Sequence, residues 1–205
     1  MKYKNILLFP GGFKPFHDGH LSILESHISN IDKIHINDIH IIISPKSRDN
    51  ITAETTLWFL NKIKQNLINY YNVNFNIEIS DMPSPIRKCY DMVNNSDFYD
   101  KFCLVTSNKD NDLKRKIEFV NNYQYTGKYY DILKGEKTIM INADIKPVKF
   151  QNRNDKFNNE NISSTILRND INNKDYESFK TGYYKMLQHD IININVLQNY
   201  FQLLK

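Results

Sequence analysis

Two continuous apolar runs, Asn5-Ile6-Leu7-Leu8-Phe9 and Ile39 to Ser44 (IHIIIS), bracket a stretch in which Leu21, Leu24, Ile28 and Ile31 recur at helical spacing. Runs so short and apolar are strands buried on both faces, and the first ends at Pro10-Gly11-Gly12, a glycine turn. The helix after it starts at Gly19 or His20. Strand, helix and strand within about forty residues form a βαβ unit, whose crossover joins parallel strands. That single unit restricts the chain to an α/β architecture.

The pattern recurs downstream. Thr52 can cap a helix in which Leu57, Leu60, Ile63 and Leu67 line one face, with Glu54 in its first turn. Phe75, Ile77 and Ile79 alternate as a strand, and Ser84-Pro85 is a helix start with proline at the first helical position. Residues 101–106 (KFCLVT) form another buried strand, 111–121 a helix, and Thr138 to Asn142 a closing strand. Residues 122–136 are Tyr-rich and read as an insertion or long loop, whereas 151–161 (QNRNDKFNNEN) are polar and read as a mobile loop. Amphipathic helical stretches near 164–187 and 193–204 complete the chain. At 205 residues, without repeats or a linker, the expectation is a single domain over 1–205. Its fold is a doubly wound, mostly parallel Rossmann-like sheet with C-terminal helices. The α/β core spans 1–150, the loop 151–161, and a phosphate-binding motif with helices 162–205.

Charge and cysteines remove several function classes. A net charge of +4 suits a binder of phosphates but falls short of a nucleic-acid signature, and Lys114-Arg115-Lys116 reads as a solvated helix face. Cys89 and Cys103 are the only cysteines, too few for a disulfide framework or a Cys-rich metal site. No apolar stretch approaches the length of a membrane span, and the N-terminus leads into a motif instead of a signal peptide. The expected location is the cytoplasm.

Chemistry concentrates in two segments. Gly11-Gly12-Phe13-Lys14-Pro15-Phe16-His17-Asp18-Gly19-His20 lies where the first strand meets the first helix. Open α/β sheets bind ligands at the carboxyl ends of their strands, and helix N-termini attract phosphate. Gly11 and Gly12 let the backbone approach a ligand. His17 and His20, with Gly19 between them, can both face one phosphate and donate to charge developing on it. Two such histidines also suit a metal, but no further Cys/His pair follows, so no metal is assigned to protein ligands. In Ile162-Ser163-Ser164-Thr165-Ile166-Leu167-Arg168, Ser163 is a good N-cap and three hydroxyls open a helix. Arg168 stands one turn on, within reach of the same anion. Alone, the first segment is a weak signal that a solvated loop would also give, and the second reads as an ordinary capped helix.

Together they resemble the nucleotidylyltransferase superfamily, whose hallmarks are a Gly-x-Phe-x-x-x-His-x-Gly-His motif and a later Ile-Ser-Ser-Thr-x-x-Arg motif. The resemblance covers residues 4–170. The segments Ser44 to Glu54 and Ser84 to Asp91 look like the compact versions in phage and large-virus cytidylyltransferase-like members. The resemblance implies in-line attack of an acceptor phosphate on the α-phosphate of a nucleoside triphosphate, with Mg²⁺ present and pyrophosphate leaving; positioning and charge stabilisation dominate such catalysis. It implies that His17 and His20 bind the triphosphate and stabilise the transition state, and that Ser163, Ser164, Thr165 and Arg168 hold the β- and γ-phosphates. Lys14 is near enough in sequence to contact a phosphate, although this position varies in the superfamily. It places Ser107 beside the nucleobase or ribose. One departure concerns the residue before Phe13, commonly Thr or Ser in the superfamily and Gly12 here. The acceptor phosphate would then fall to Lys14, Arg48 or Arg87, each of which could equally be a surface charge.

The Ile-Ser-Ser-Thr form is most similar to nicotinamide-mononucleotide adenylyltransferases, so ATP plus nicotinamide mononucleotide giving NAD is the leading specific reaction. Phosphopantetheine adenylyltransferase and a cytidylyltransferase on a sugar or alcohol phosphate are the nearest alternatives. A class I aminoacyl-tRNA synthetase shares the histidine motif, but the chain is too short for one. A non-catalytic nucleotide-binding sensor is the alternative from another class, and assembly into a homo-oligomer is left open.

Overall fold

The computed structural model describes residues 5–29, 36–95, 101–107, 110–123, 138–139, 145 and 147–205. Five strands form one sheet: β1 (Asn5–Gly11), β2 (Ile36–Ile43), β3 (Asn74–Ile79), β4 (Lys101–Leu104) and β5 (Thr138–Ile139). Their order is β3-β2-β1-β4-β5, and every pairing is parallel. The expected doubly wound α/β sheet is therefore the observed one.

Alternation along the strands divides the core. Leu7, Phe9, Ile39, Ile41 and Ile43 pack with α1 (Asp18–Ser29) and α2 (Ala53–Tyr71) on one face. Ile6, Leu8, Ile42, Phe102 and Leu104 pack with α3 (Pro85–Asn94) and α4 (Asp110–Asn121) on the other. Covering both faces is what makes parallel strands read as unbroken apolar runs. The chain winds outward from β1 to β3, then crosses to the far side of β1 for β4, so the winding reverses between β1 and β4. The β1–β2 ladder continues to Gly11↔Ile43, but the β1–β4 ladder stops at Leu8↔Leu104. The last turn of β1 thus stands clear of β4, and a crevice at such a reversal is the usual ligand position in open α/β sheets.

The first helix starts at Asp18, one residue before the expected Gly19 or His20, and the helix starts read at Thr52 and Ser84 are present. The hydroxyls of Thr52 and Ser84 accept from the backbone N–H of Thr55 and Arg87 and cap α2 and α3. The stretch 164–187 is instead divided into α5 (Ser164–Asn172), α6 (Tyr176–Lys180), a 3₁₀ turn (Thr181–Tyr183) and α7 (Tyr184–Gln188). Lys174 takes a left-handed φ of 58°, and Asp175 then restarts the helix by capping Ser178 N–H. Last comes α8 (Ile194–Leu203), anchored to α2 by Tyr200, whose ring stacks on Phe59 at 4.0 Å. Among the described residues no helix is long and apolar enough to cross a membrane. Tyr123 is buried against α3 and α4, whereas 124–136 and the rest of the strand expected to reach Asn142 lie outside the described residues.

Residues 151–161, expected as a mobile loop, are tied down. Phe150 and Glu160 are joined by a 2.8 Å backbone bond, and Lys149 bridges Asn161. The Arg153 guanidinium, fully buried, grips Asp170 of α5 through two bonds of 2.8 and 2.9 Å and Asp155 at 2.6 and 3.0 Å. It also donates to Ser178 O and lies 4.6 Å over the Phe150 ring. A polar sequence conceals this, because the anchoring pair is separated by 17 residues. Removing one partner strands a buried charge, so Asp170→Ala should cost about 3 kcal/mol in urea unfolding. A loss below about 0.5 kcal/mol, typical of an exposed pair, would contradict this account.

Candidate active site

The turn from β1 to α1 is built around three aromatic side chains. Phe13 adopts a left-handed φ of 51° and folds its ring back over Gly11, where an added Cβ would lie 2.5 Å from the ring. Gly12, in contrast, would have no atom within 4 Å of such a Cβ, so the backbone there faces open space. His20 sits edge-on to Phe13 at 5.2 Å, stacks on Phe16 at 5.5 Å and lies 4.0 Å from the His17 ring. Phe13, which the motif match counts among the nucleotide-binding residues, is buried in the core and packs edge-on to His20.

His17 is buried, and both of its nitrogens are engaged. Nδ1 accepts the backbone N–H of Gly19 at 3.0 Å, so the proton of the neutral ring resides on Nε2. Nε2 then donates to Ser164 Oγ, also at 3.0 Å, and that hydroxyl donates to Pro15 O at 3.3 Å. The bond to Ser164 joins residues 147 apart in sequence and brings the two motifs together. Gly19 is required by packing: a Cβ there would sit 2.9 Å from His17 Cε1.

Arg168 is buried from the other side. Its Nη1 donates to Lys14 O at 2.9 Å, its Nη2 to Thr165 Oγ1 at 3.1 Å, and its Nε lies 2.5 Å from an Asp49 carboxylate oxygen. Ser163 caps α5 by accepting from Ile166 N–H. The Lys14 ammonium donates to Ser44 O at 2.9 Å and to Lys46 O. Burial lowers the Lys14 pKa from its ordinary value, partly offset by Glu54.

The remaining sequence-derived residues are spread along the carboxyl edge of the sheet. Arg48 follows β2, Arg87 lies in the first turn of α3 after β3, and both are exposed. No hydrogen bond or ion pair among the described residues draws either to the histidines. Ser107, after β4, donates to Asp112 of α4. No group of three or more His, Cys, Asp and Glu side chains among the described residues is arranged to hold a metal.

Sequence reasoning missed Asp18, the variable position inside His-x-Gly-His. Its carboxylate is wholly buried and accepts Lys185 N–H at 2.6 Å and Met186 N–H at 3.1 Å, capping α7 from the start of α1. Burial pushes its pKa up to about 7, against the opposing pull of those two bonds and of Lys185. Lys185 also pairs with Glu25 of α1, which accepts from Tyr71 OH at 2.9 Å. The available signal was weak: an acid within a motif otherwise devoted to anions.

Fold and site define an α/β protein of the Rossmann-like class with imidazole, hydroxyl and guanidinium donors gathered at its topological switch point. The chain is similar to the phosphopantetheine adenylyltransferase of Mycoplasma capricolum, 26% identical over 163 residues that span 80% of this chain and 94% of that protein. It is also similar to the phosphopantetheine adenylyltransferase of Mycoplasma mycoides, 27% identical over 161 residues, 78% of this chain and 92% of that one. No family model matches the chain.

Gly19→Ala should expel the His17 ring and break its Nδ1 bond. Nitrogen NMR of His17 would then change from a single Nε2–H tautomer to a mixture, and an unchanged spectrum would refute the packing argument. For Asp18 the sign follows from linkage. A carboxyl whose folded pKa lies above its ordinary 3.8 has its stabilising contribution fully present below 3.8 and loses it as pH rises to about 7. The stability of the wild type relative to Asp18→Asn should therefore fall by about 2 to 4 kcal/mol over that window and level off above it. A pH-independent difference in chemical denaturation would contradict the raised value.

Proposed function

We propose that the protein is an adenylyltransferase that transfers AMP from ATP to a phosphate-bearing acceptor, with a phosphopantetheine-type acceptor ranked first. The observation that carries this reading is the His17 Nε2–Ser164 Oγ bond, which assembles the two motifs into one cradle at the switch point. The similarity to two phosphopantetheine adenylyltransferases supports the acceptor and favours it over nicotinamide mononucleotide, which rests on the Ile-Ser-Ser-Thr form alone.

In this reading an acceptor phosphate oxygen forms a bond to the α-phosphorus while the bond from that phosphorus to the α,β-bridging oxygen breaks, and pyrophosphate departs with the bonding pair. His17, with its proton fixed on Nε2, is pre-set as a neutral donor, and the shared hydroxyl of Ser164 can turn with it toward a phosphate oxygen. Donors oriented before the reaction stabilise the developing charge without reorganising. Arg168 is a cation on α5, and the start of α5 adds backbone N–H groups. Mg²⁺ would arrive complexed to the triphosphate, whose oxygens supply most of its ligands and which it would help neutralise. The open face at Gly12 leaves room for the acceptor.

Purified protein with Mg²⁺ should release pyrophosphate from ATP in the presence of phosphopantetheine, and His17→Ala or His20→Ala should slow this by about 10²- to 10³-fold. Testing CTP, nicotinamide mononucleotide and simple sugar or alcohol phosphates in parallel assigns the substrates. Triphosphate binding without turnover on any acceptor would replace catalysis by nucleotide sensing.

A further inference from the structure

The buried Arg168 guanidinium meets an acidic partner that belongs to neither motif. Asp49 reaches it from the segment between β2 and α2, with Oδ2 at 2.5 Å from Nε. Asp49 and Asn50 form the tip of a two-residue hairpin in which Arg48 and Ile51 exchange backbone bonds of 3.1 and 3.0 Å. Their φ angles of 49° and 64° are those of a type I′ turn, whose left-handed positions Asp and Asn tolerate better than most residues. The base of the hairpin is fixed, because Ile51 is in the core and Thr52 caps α2.

A closed circuit results. Arg168 donates to Lys14 O, Lys14 Nζ donates to Ser44 O and Lys46 O, and the chain from there leads to Asp49 and back to Arg168. Its two charged ends are unequal. The Asp49 side chain is 55% exposed and the Arg168 side chain 6%. The carboxylate can move into water at small desolvation cost, whereas the guanidinium is held in place by Lys14 O and Thr165 Oγ1. An incoming anion therefore meets an arginine that already has a counter-charge.

We infer that Asp49 is a built-in competitor for the triphosphate: its carboxylate neutralises Arg168, and a bound polyphosphate takes its place and releases the Asp49 side chain to solvent. This inference rests on the reading of Arg168 as part of the phosphate cradle. Asp49 consequently sets the affinity of the site for polyanions without touching the reacting atoms. A carboxylate facing a polyphosphate across so short a distance repels it, and neutralising that carboxylate relieves the repulsion.

Calorimetry with inorganic tripolyphosphate tests this on the full chain. Asp49→Asn keeps the shape and suits the left-handed φ, and it should bind tripolyphosphate about tenfold more tightly than the wild type. The gain should shrink with added salt and should vanish in an Arg168→Gln background. Equal or weaker binding by Asp49→Asn overturns the inference and makes Asp49 a support for Arg168. A gain that persists in Arg168→Gln also overturns it, since the effect would then be a general field. Absence of tripolyphosphate binding in every variant, wild type included, removes the phosphate-cradle reading together with this one. The single variant decides the sign even if Arg168→Gln does not fold.

Discussion

The two ends of the His17 imidazole govern the organisation of the site. Accepting Gly19 N–H through Nδ1 fixes the proton on Nε2, and donating from Nε2 to Ser164 ties α5 to the start of α1. A Cβ on residue 19 would crowd the ring that makes the first bond, which lies within the first turn of α1. The second brings in a helix from the far end of the α/β core. The ring thus transmits a local backbone requirement into a long-range one: where α1 begins determines where α5 must sit. Phe13 and Phe16 do the same for His20, which they pack against its neighbour.

Around this centre, charged groups act as joints between elements. Asp18 fastens α7 to the start of α1, and Arg153 fastens the segment after Phe150 to α5 and α6. Each joint removes a charge from water, which is favourable only when nearly every donor and acceptor is matched. Asp18 matches two backbone N–H groups and still retains a raised pKa, so desolvation outweighs the bonds it gains. Arg153 instead meets two carboxylates, and its hydrogen bonds hold Asp155 below the usual carboxylate range. The C-terminal helices are therefore attached by polar joints as well as by the aromatic packing of Tyr200 on Phe59.

The sheet was legible in the sequence because burial on both faces prints itself as runs such as Ile39 to Ser44, and helix starts because caps are local. Thr52, Ser84 and Ser163 each act within three residues. Long-range polar partners leave no such imprint. Nothing near Arg153 in sequence announces Asp170, and nothing near Arg168 announces Asp49. The break at Lys174 was missed for another reason: helical periodicity survives a one-turn interruption, whereas the left-handed φ that causes it has no compositional marker in lysine. For the candidate site, the sequence supplied the residue types, and the structure added which atoms face one another. Lys14 illustrates the difference, since its proximity in sequence says nothing of the bonds its ammonium makes to the carbonyls of Ser44 and Lys46.

That placement of Lys14 bears on how such a site can hold a polyanion. A lysine on a phosphate acts as a mobile point charge, but here the ammonium braces the segment after β2. Arg168 is likewise already beside a carboxylate. The polar groups of the two motifs are bonded to one another: the Nε2–H of His17 to Ser164, the Ser164 hydroxyl to Pro15 O, the Gly19 N–H to His17 Nδ1, and Arg168 to Thr165 Oγ1. Dipoles fixed by the fold lose little on binding and favour negative charge in a defined place. Loose cations would favour it anywhere nearby and would be screened by salt. In the proposed reading, such a site would distinguish a phosphate chain of matching geometry from anions in general through the same bonds that hold α1 and α5 together.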